Sequence, residues 1–100
     1  MITFKKEDTR QYSFAGGLIE VTYRIADAPE AEIVLGEQWK NTEVFKKFVL
    51  SVKSADVEGW EKGVTAEEVL SCPGTYSLVT VVTFDIVQSM RIEAQRKNLP

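Results

Sequence analysis

The feature that most constrains the fold is a change in the spacing of apolar residues near Gly36. Before Gly36, apolar and polar residues alternate, which is typical of strands that bury one face. After Gly36, apolar residues recur at helical spacing. The chain has 100 residues, the length of one ordinary domain. The sequence therefore predicts a single α+β domain over residues 1–100, with a β-rich half at 1–36 and a helical half at 37–100.

The β-rich half contains one hairpin signal. Apolar residues alternate with polar ones from Ile19 to Ile25, and the alternation resumes from Ala31 to Leu35. The segment between them, Asp27–Glu30, contains a proline and is typical of a turn. The sequence therefore predicts an antiparallel hairpin, or small sheet, built on these two strands. Two more short strands and a bend are candidates in this half: residues 2–4, residues 12–14 and Gly16-Gly17.

The helical half is predicted to contain about three helices. The first follows a cap at Asn41 or Thr42 and carries an apolar stripe from Val44 to Val52. The second starts at Thr65, because Glu68 lies three residues later and completes a capping box. It ends at Pro73-Gly74, where the chain cannot continue as a helix.

The last helix is predicted to run from a cap at Thr75 to about Lys97. An alternative remains, because Leu78–Phe84 is rich in β-branched residues and would suit a strand. The helix is favoured since the run continues without a break into Gln88–Lys97, which has no strand character. The apolar stripe of this helix would comprise Tyr76, Val79, Thr83, Ile86, Met90 and Ala94.

Residue composition argues against catalysis. The sequence has no histidine, so it lacks the commonest general base and metal ligand. Cys72 is the only cysteine and is interpreted as a small apolar residue. The adjacent Glu67 and Glu68 suit a helix start, and Glu30 and Glu32 suit a solvated strand face. We therefore expect no catalytic residue, no cofactor and no metal, and a protein that is not an enzyme.

Charge and hydropathy narrow the class of partner. Twelve basic and 15 acidic side chains give a net charge of −3 without any basic block, so nucleic acid is not the expected partner. The longest apolar-leaning stretch, Leu78–Val87, is too short to span a bilayer. Met1–Asp8 lacks the apolar run of a signal peptide. We expect a cytoplasmic protein that binds other proteins.

Aromatic residues are the best candidates for a binding surface. Trp60 lies in a polar loop between two glycines, and it is either a lid on the helical core or an anchor for a partner. Trp39 has the same two interpretations at the junction between the halves. The residues predicted to bind a partner are Trp39, Phe45, Phe48, Trp60, Tyr76 and Met90.

An ordered set of motifs covers roughly the last half of the chain. A helix is followed by a Gly-Trp loop, a short Thr-x-Glu-x-Val-Leu helix, a Pro-Gly break and a last helix that ends in basic residues and asparagine. These motifs occupy Phe45–Val52, Glu58–Val64, Thr65–Gly74 and Glu93–Asn98. In this order they resemble the small tail assembly chaperones of siphophages and prophages. The loop after Trp60 is shorter than that pattern, and the last helix is richer in β-branched residues.

The resemblance implies a cytoplasmic factor that keeps the long tape measure protein soluble during tail morphogenesis, by binding it or another phage tail component. The alternative is a small acidic phage-encoded inhibitor or adaptor of a host protein. In either case we expect a homo-oligomer. A short chain has a limited core, and strand edges are usually paired or covered.

Overall fold

The structure is a computed structural model and describes residues 1–96. Within them, three strands and four helices follow one another. The elements are β1 (Glu7–Phe14), β2 (Gly17–Arg24), α1 (Ala28–Gly36), α2 (Asn41–Phe48), β3 (Val49–Lys53), α3 (Ala66–Ser71) and α4 (Tyr76–Arg96). The strands form one antiparallel sheet in the order β1-β2-β3. The predicted α+β class, with an N-terminal antiparallel sheet, is confirmed.

The hairpin has a different partner from the predicted one. It joins β1 to β2 through a tight turn at Ala15 and Gly16, which both have positive φ, 52° and 83°. A turn of this kind matches the twist of the two strands. The predicted bend at Gly16-Gly17 is therefore the hairpin turn itself. Residues 12–14 belong to β1, whereas residues 2–4 form no strand.

The prediction of a turn at Asp27–Glu30 and a strand at Ala31–Leu35 was wrong, because this segment is α1. The Asp27 carboxylate accepts the Glu30 N–H at 2.9 Å, and the Glu30 carboxylate accepts the Asp27 N–H at 3.1 Å. This is a capping box, with Pro29 in the first turn where a missing N–H costs nothing. The same residue types that favour a turn here begin a helix.

The first predicted helix ends earlier than its apolar stripe. The helix α2 stops at Phe48, and the chain continues directly into β3, where Val52 is paired with Val21 of β2. Its N-cap is Lys40, without a side-chain hydrogen bond, rather than Asn41 or Thr42. Val49 and Val52 are buried, as the stripe required, but in a strand. The two halves are therefore mixed: residues 1–36 contain a helix and residues 37–100 contain a strand.

The last two helices lie close to where they were predicted, although α3 already ends at Ser71 and the Thr75 hydroxyl donates to the Val69 and Cys72 carbonyls instead of accepting at the start of α4. The Thr65 hydroxyl oxygen accepts the Glu68 N–H at 3.2 Å and starts α3. The Glu68 carboxylate accepts from the Thr65 hydroxyl and not from the Thr65 N–H, so only half of the predicted capping box forms. The helix α4 runs without a break through Leu78–Phe84, which rejects the strand alternative. Lys97, the predicted end of α4, lies outside the described residues.

The core lies between the inner face of the sheet and the helices. Trp60 is only 8% exposed and belongs to this core, as the lid interpretation predicted. Its carbonyl oxygen accepts the Ser54 N–H at 3.0 Å and the Gly63 N–H at 3.1 Å. The largest side chains with almost no exposure are Phe45, Phe48, Ile19, Leu78 and Ile86.

Candidate protein-binding surface

The structure separates the six predicted partner-binding residues into two groups. Phe45 and Phe48 have no exposed surface, and Trp60 and Met90 are each 8% exposed. These four side chains fill the core of the chain. Tyr76 is 66% exposed, and Trp39 is partly buried against the core. Only these last two can present a ring to a partner without rearrangement.

Trp39 and Tyr76 lie together in an open groove of about 450 Å³. The remaining groove residues are Lys40, Asn41 and Thr42, at the start of α2. Thr83 of α4 connects the two sides of the groove. Its side chain is buried, and its hydroxyl donates to the Asn41 carbonyl at 3.1 Å. This hydrogen bond fixes the start of α2 against the first half of α4.

The Trp39 ring is held by polar contacts at the edge of the groove. Its Nε1–H donates to the Glu37 carboxylate at 3.0 Å. The Lys47 ammonium lies 5.6 Å from the ring centroid, within cation–π range. The ring is thus oriented before any partner binds, which lowers the entropy cost of using it as an anchor.

Tyr76 begins a line of exposed and half-buried residues along α4. Thr80 and Phe84 follow at successive four-residue steps, so all three lie on one side of the helix. Phe84 is 62% exposed. The Thr80 hydroxyl donates to the Tyr76 carbonyl at 2.8 Å, so its hydrogen-bonding capacity is used within the helix. We call Tyr76, Thr80 and Phe84, together with Trp39, the aromatic surface.

Sequence reasoning missed Phe84 and misplaced Tyr76. Tyr76 was assigned to the buried stripe of α4, but its side chain is 66% exposed, whereas Leu78 and Val79 in the same turn are buried. Phe84 was assigned to no surface. The signal that could have identified it is its position outside the buried stripe, because a phenylalanine on the other side of a surface helix is either exposed or paired.

A second line of exposed apolar residues lies on another side of α4. Val81 and Ile92 are about half exposed, and they flank Asp85 at helical spacing. The Arg10 guanidinium of β1 lies 3.9 Å from the Asp85 carboxylate. The same guanidinium lies 3.4 Å from Ser89 Oγ. This line, which we call the β1-side line, therefore borders the sheet rather than the groove.

Polar side chains of β1 and β2 meet α4 in the same region. The Tyr23 hydroxyl donates to Asp8 at 3.3 Å. Burial raises the pKa of Tyr12, and the nearby Asp85 carboxylate adds to the shift. The Tyr12 hydroxyl itself is buried and has no hydrogen-bond partner within the described part of the chain. Although burial opposes the shift, hydrogen bonds from Arg10 and the Thr9 N–H lower the pKa of Asp8.

The comparisons with known proteins identify no relative from which a function could be inferred. No family model, no curated protein and no solved structure matches the chain significantly. Among the residues that the structure describes, no group of three or more His, Cys, Asp or Glu could hold a metal ion. None of the helices described is both long and apolar enough to cross a membrane. The aromatic surface is therefore the best candidate for a functional site.

Proposed function

We propose that this protein is a protein-binding assembly factor that resembles phage tail assembly chaperones and keeps the tape measure protein soluble during tail morphogenesis. It acts in the host cell cytoplasm by binding, not by catalysis. The observation that carries the proposal is the aromatic surface, on which Trp39 and Tyr76 line one groove and Phe84 is exposed about two turns further along α4.

The chemistry of this surface fits an apolar helix as the client. Aromatic residues supply large contact areas and dominate the energetics of many protein interfaces. Tyr76, Thr80 and Phe84 carry no charge and extend along two turns of α4. A helix laid along them would place its own apolar residues, spaced by three and four, against these rings. Lys40 at the groove rim keeps the free surface hydrated.

The size of the surface fits reversible binding. Only two large rings, Tyr76 and Phe84, are mostly exposed in it. The exposed aromatic area is a few hundred Å² at most, about the size of the largest apolar patch on an ordinary monomer. It is well below the roughly 800 Å² per partner of a stable interface. A chaperone must release its client when assembly begins, so a modest contact repeated along a long client suits the task.

The experiment is co-expression with the tape measure protein encoded in the same genome. The unaltered chain should keep the client in the soluble fraction and co-purify with it. The double variant Tyr76→Ala and Phe84→Ala should lower the recovered complex roughly tenfold or more, since each removes an exposed aromatic anchor.

The matched control is Ile33→Ala, which truncates an apolar residue that is 48% exposed on α1 and does not line the groove. It should leave the complex unchanged. Equal aggregation of the client with and without this chain would reject the proposal. Unchanged binding by the double variant would reject the aromatic surface as the site.

A further inference from the structure

The backbone of β1 presents a free row of hydrogen-bonding groups along one side of the sheet. The Ile25 N–H donates to the Lys6 carbonyl at 2.9 Å. Backbone groups alternate in direction along a strand. Asp8, Arg10, Tyr12 and Phe14 therefore point their N–H and C=O groups toward β2. The groups that point away are those of Glu7, Thr9, Gln11 and Ser13, and no strand of residues 1–96 pairs with them.

The other side of the sheet is closed by the chain itself. Val52 of β3 exchanges two hydrogen bonds with Val64, at 2.9 and 2.8 Å. The Ser54 N–H donates to the Trp60 carbonyl at 3.0 Å. Since strand edges without such cover are usually paired or blunted, β1 is the edge that needs an explanation.

We infer that β1 pairs antiparallel with β1 of a second copy of this chain, with Gln11 opposite Gln11 of that copy on the two-fold axis. This inference is independent of the client proposed above. Its consequence is one continuous six-stranded sheet, because each copy contributes its three strands.

The register follows from charge. Two antiparallel alignments of the two β1 strands pair the most residues. In both, the outward-pointing N–H and C=O groups of one copy face those of the other. In one, the axis lies at Arg10, so two guanidinium groups stand directly opposite each other, which is destabilising. In the other, the axis lies at Gln11 and Arg10 stands opposite Tyr12, with Thr9 opposite Ser13. No like charges oppose each other in this alignment.

Two features beside β1 favour a second copy over solvent. The hydroxyl of Tyr12 is buried without a hydrogen-bond partner in the described chain, and the arginine opposite it in this register brings a donor to that side of the sheet. The β1-side line on α4 leaves Val81 and Ile92 half exposed on the same flank. A sheet that continues past β1 gives these apolar side chains a surface to cover.

The Asp8 side chain covers part of this edge in the free chain. Its carboxylate accepts the Thr9 N–H at 3.0 Å, and that N–H is one of the outward-pointing donors. The same carboxylate is 3.3 Å from Arg10 Nε. In the free chain Asp8 therefore satisfies one edge donor, and it must release this donor for Thr9 to pair with Ser13 of the other copy. Association therefore displaces one local hydrogen bond in each copy, which weakens the dimer.

The first test is light scattering with size exclusion over a micromolar to millimolar range of concentration. Gln11→Pro removes an outward N–H that makes no bond to β2, and proline is tolerated at strand edges. It should raise the dimer dissociation constant roughly tenfold or more, while Gln11→Ala keeps the N–H and should leave the constant within about twofold. Circular dichroism checks that both variants fold.

The second test uses the two-fold axis. Gln11→Lys and Gln11→Glu should each weaken self-association, because like charges meet at the axis, and an equimolar mixture should form heterodimers. A strict monomer at every concentration, or a dimer that Gln11→Pro leaves intact, overturns the inference. Failure of the mixture to associate also overturns it.

Discussion

The two edge strands of the sheet differ in how far the rest of the chain covers them. At β3, a returning loop pairs Val64 with Val52 and seats Trp60 in the core. At β1, the outer backbone groups face away from the chain, and Asp8 satisfies one of them. This difference indicates that the β3 edge contributes to the stability of the monomer, whereas the β1 edge is available for assembly. Substitutions at the closed edge should therefore change unfolding, and those at the free edge should change association.

The largest effect is expected at the closed edge. Trp60→Ala removes a buried indole and leaves a cavity under the loop, which should lower the free energy of unfolding by about 3–5 kcal/mol. Urea denaturation followed by circular dichroism measures it. Trp60→Phe, which refills most of the space, should cost clearly less. A loss below about 1 kcal/mol for Trp60→Ala would mean that the loop does not stabilise the β3 edge.

A direct comparison of the two edges uses one hydroxyl from each. Ser54 is buried, donates to the Leu18 carbonyl at 2.7 Å and accepts the Asp56 N–H at 3.0 Å. Ser54→Ala leaves both groups without a partner and should cost about 2–3 kcal/mol. Thr9 shares an exposed hydroxyl contact with Thr22 at 3.0 Å. Thr9→Ala should change the free energy of unfolding by less than about 0.5 kcal/mol. Equal losses for the two variants would contradict the proposed difference between the edges.

Gly17 provides a smaller test of how tightly the closing loop packs. A Cβ added there would lie 2.7 Å from Asp56 Cβ, while the Asp56 carboxylate accepts the Leu18 N–H at 2.9 Å. Gly17→Ala should therefore displace the loop and cost about 1–2 kcal/mol. The control is Gly36→Ala at the end of α1, where an added Cβ meets nothing within 4 Å. The control should melt at or slightly above the temperature of the unaltered chain.

The smallest expected effect is on acid stability, and it concerns an ion pair that lies on neither edge strand. Arg24 donates two hydrogen bonds to Glu30, at 2.7 and 2.6 Å, and this pairing lowers the pKa of Glu30 to about 2. The unfolded value is higher, so the stabilisation is present above about pH 4.5 and is lost as the pH falls toward 2. Because the pair is partly exposed, the loss should be about 1 kcal/mol.

Thermal melts between pH 5 and pH 2.5 would measure this contribution against Glu30→Gln, which stays neutral and keeps a hydrogen-bonding side chain. The variant should show a shallower decline in melting temperature over this range. Parallel curves for the two proteins would indicate that the Arg24 pair contributes nothing to the acid sensitivity of folding.

Local signals in the sequence predicted part of this fold. The Thr65 cap and the helical character of α4 are local features, and both were predicted correctly, although Tyr76 did not belong to the buried stripe. The segment Asp27–Glu30 was not predicted correctly, because its aspartate, proline and glutamate serve a turn and a capping box equally well. Val49 and Val52 fit both a helical stripe and a strand. Only pairing with β2, which is distant in sequence, decides between them.

The candidate site was predictable to a smaller extent. Aromatic residues were correctly identified as the interesting class, yet composition cannot tell a core ring from a surface ring. Phe48 is buried because Arg24 covers one face of its ring, 4.7 Å from the centroid, and the core covers the rest. Phe84 is exposed because the other side of α4 meets the core. For Phe84 the helical periodicity of α4 carried a signal, since the residue lies outside the buried stripe, whereas the burial of Phe48 depends on tertiary contacts that are distant in sequence.

The pairing of Val64 with Val52 has a consequence for synthesis on the ribosome. The two residues are close in sequence, so the loop between them closes at a small entropic cost. During translation, β1, β2 and β3 emerge before Val64, and the sheet at that moment has two unpaired edges. Only a short further stretch of chain is needed to cover β3. The period in which a nascent chain exposes both edges to its neighbours on a polysome is therefore brief.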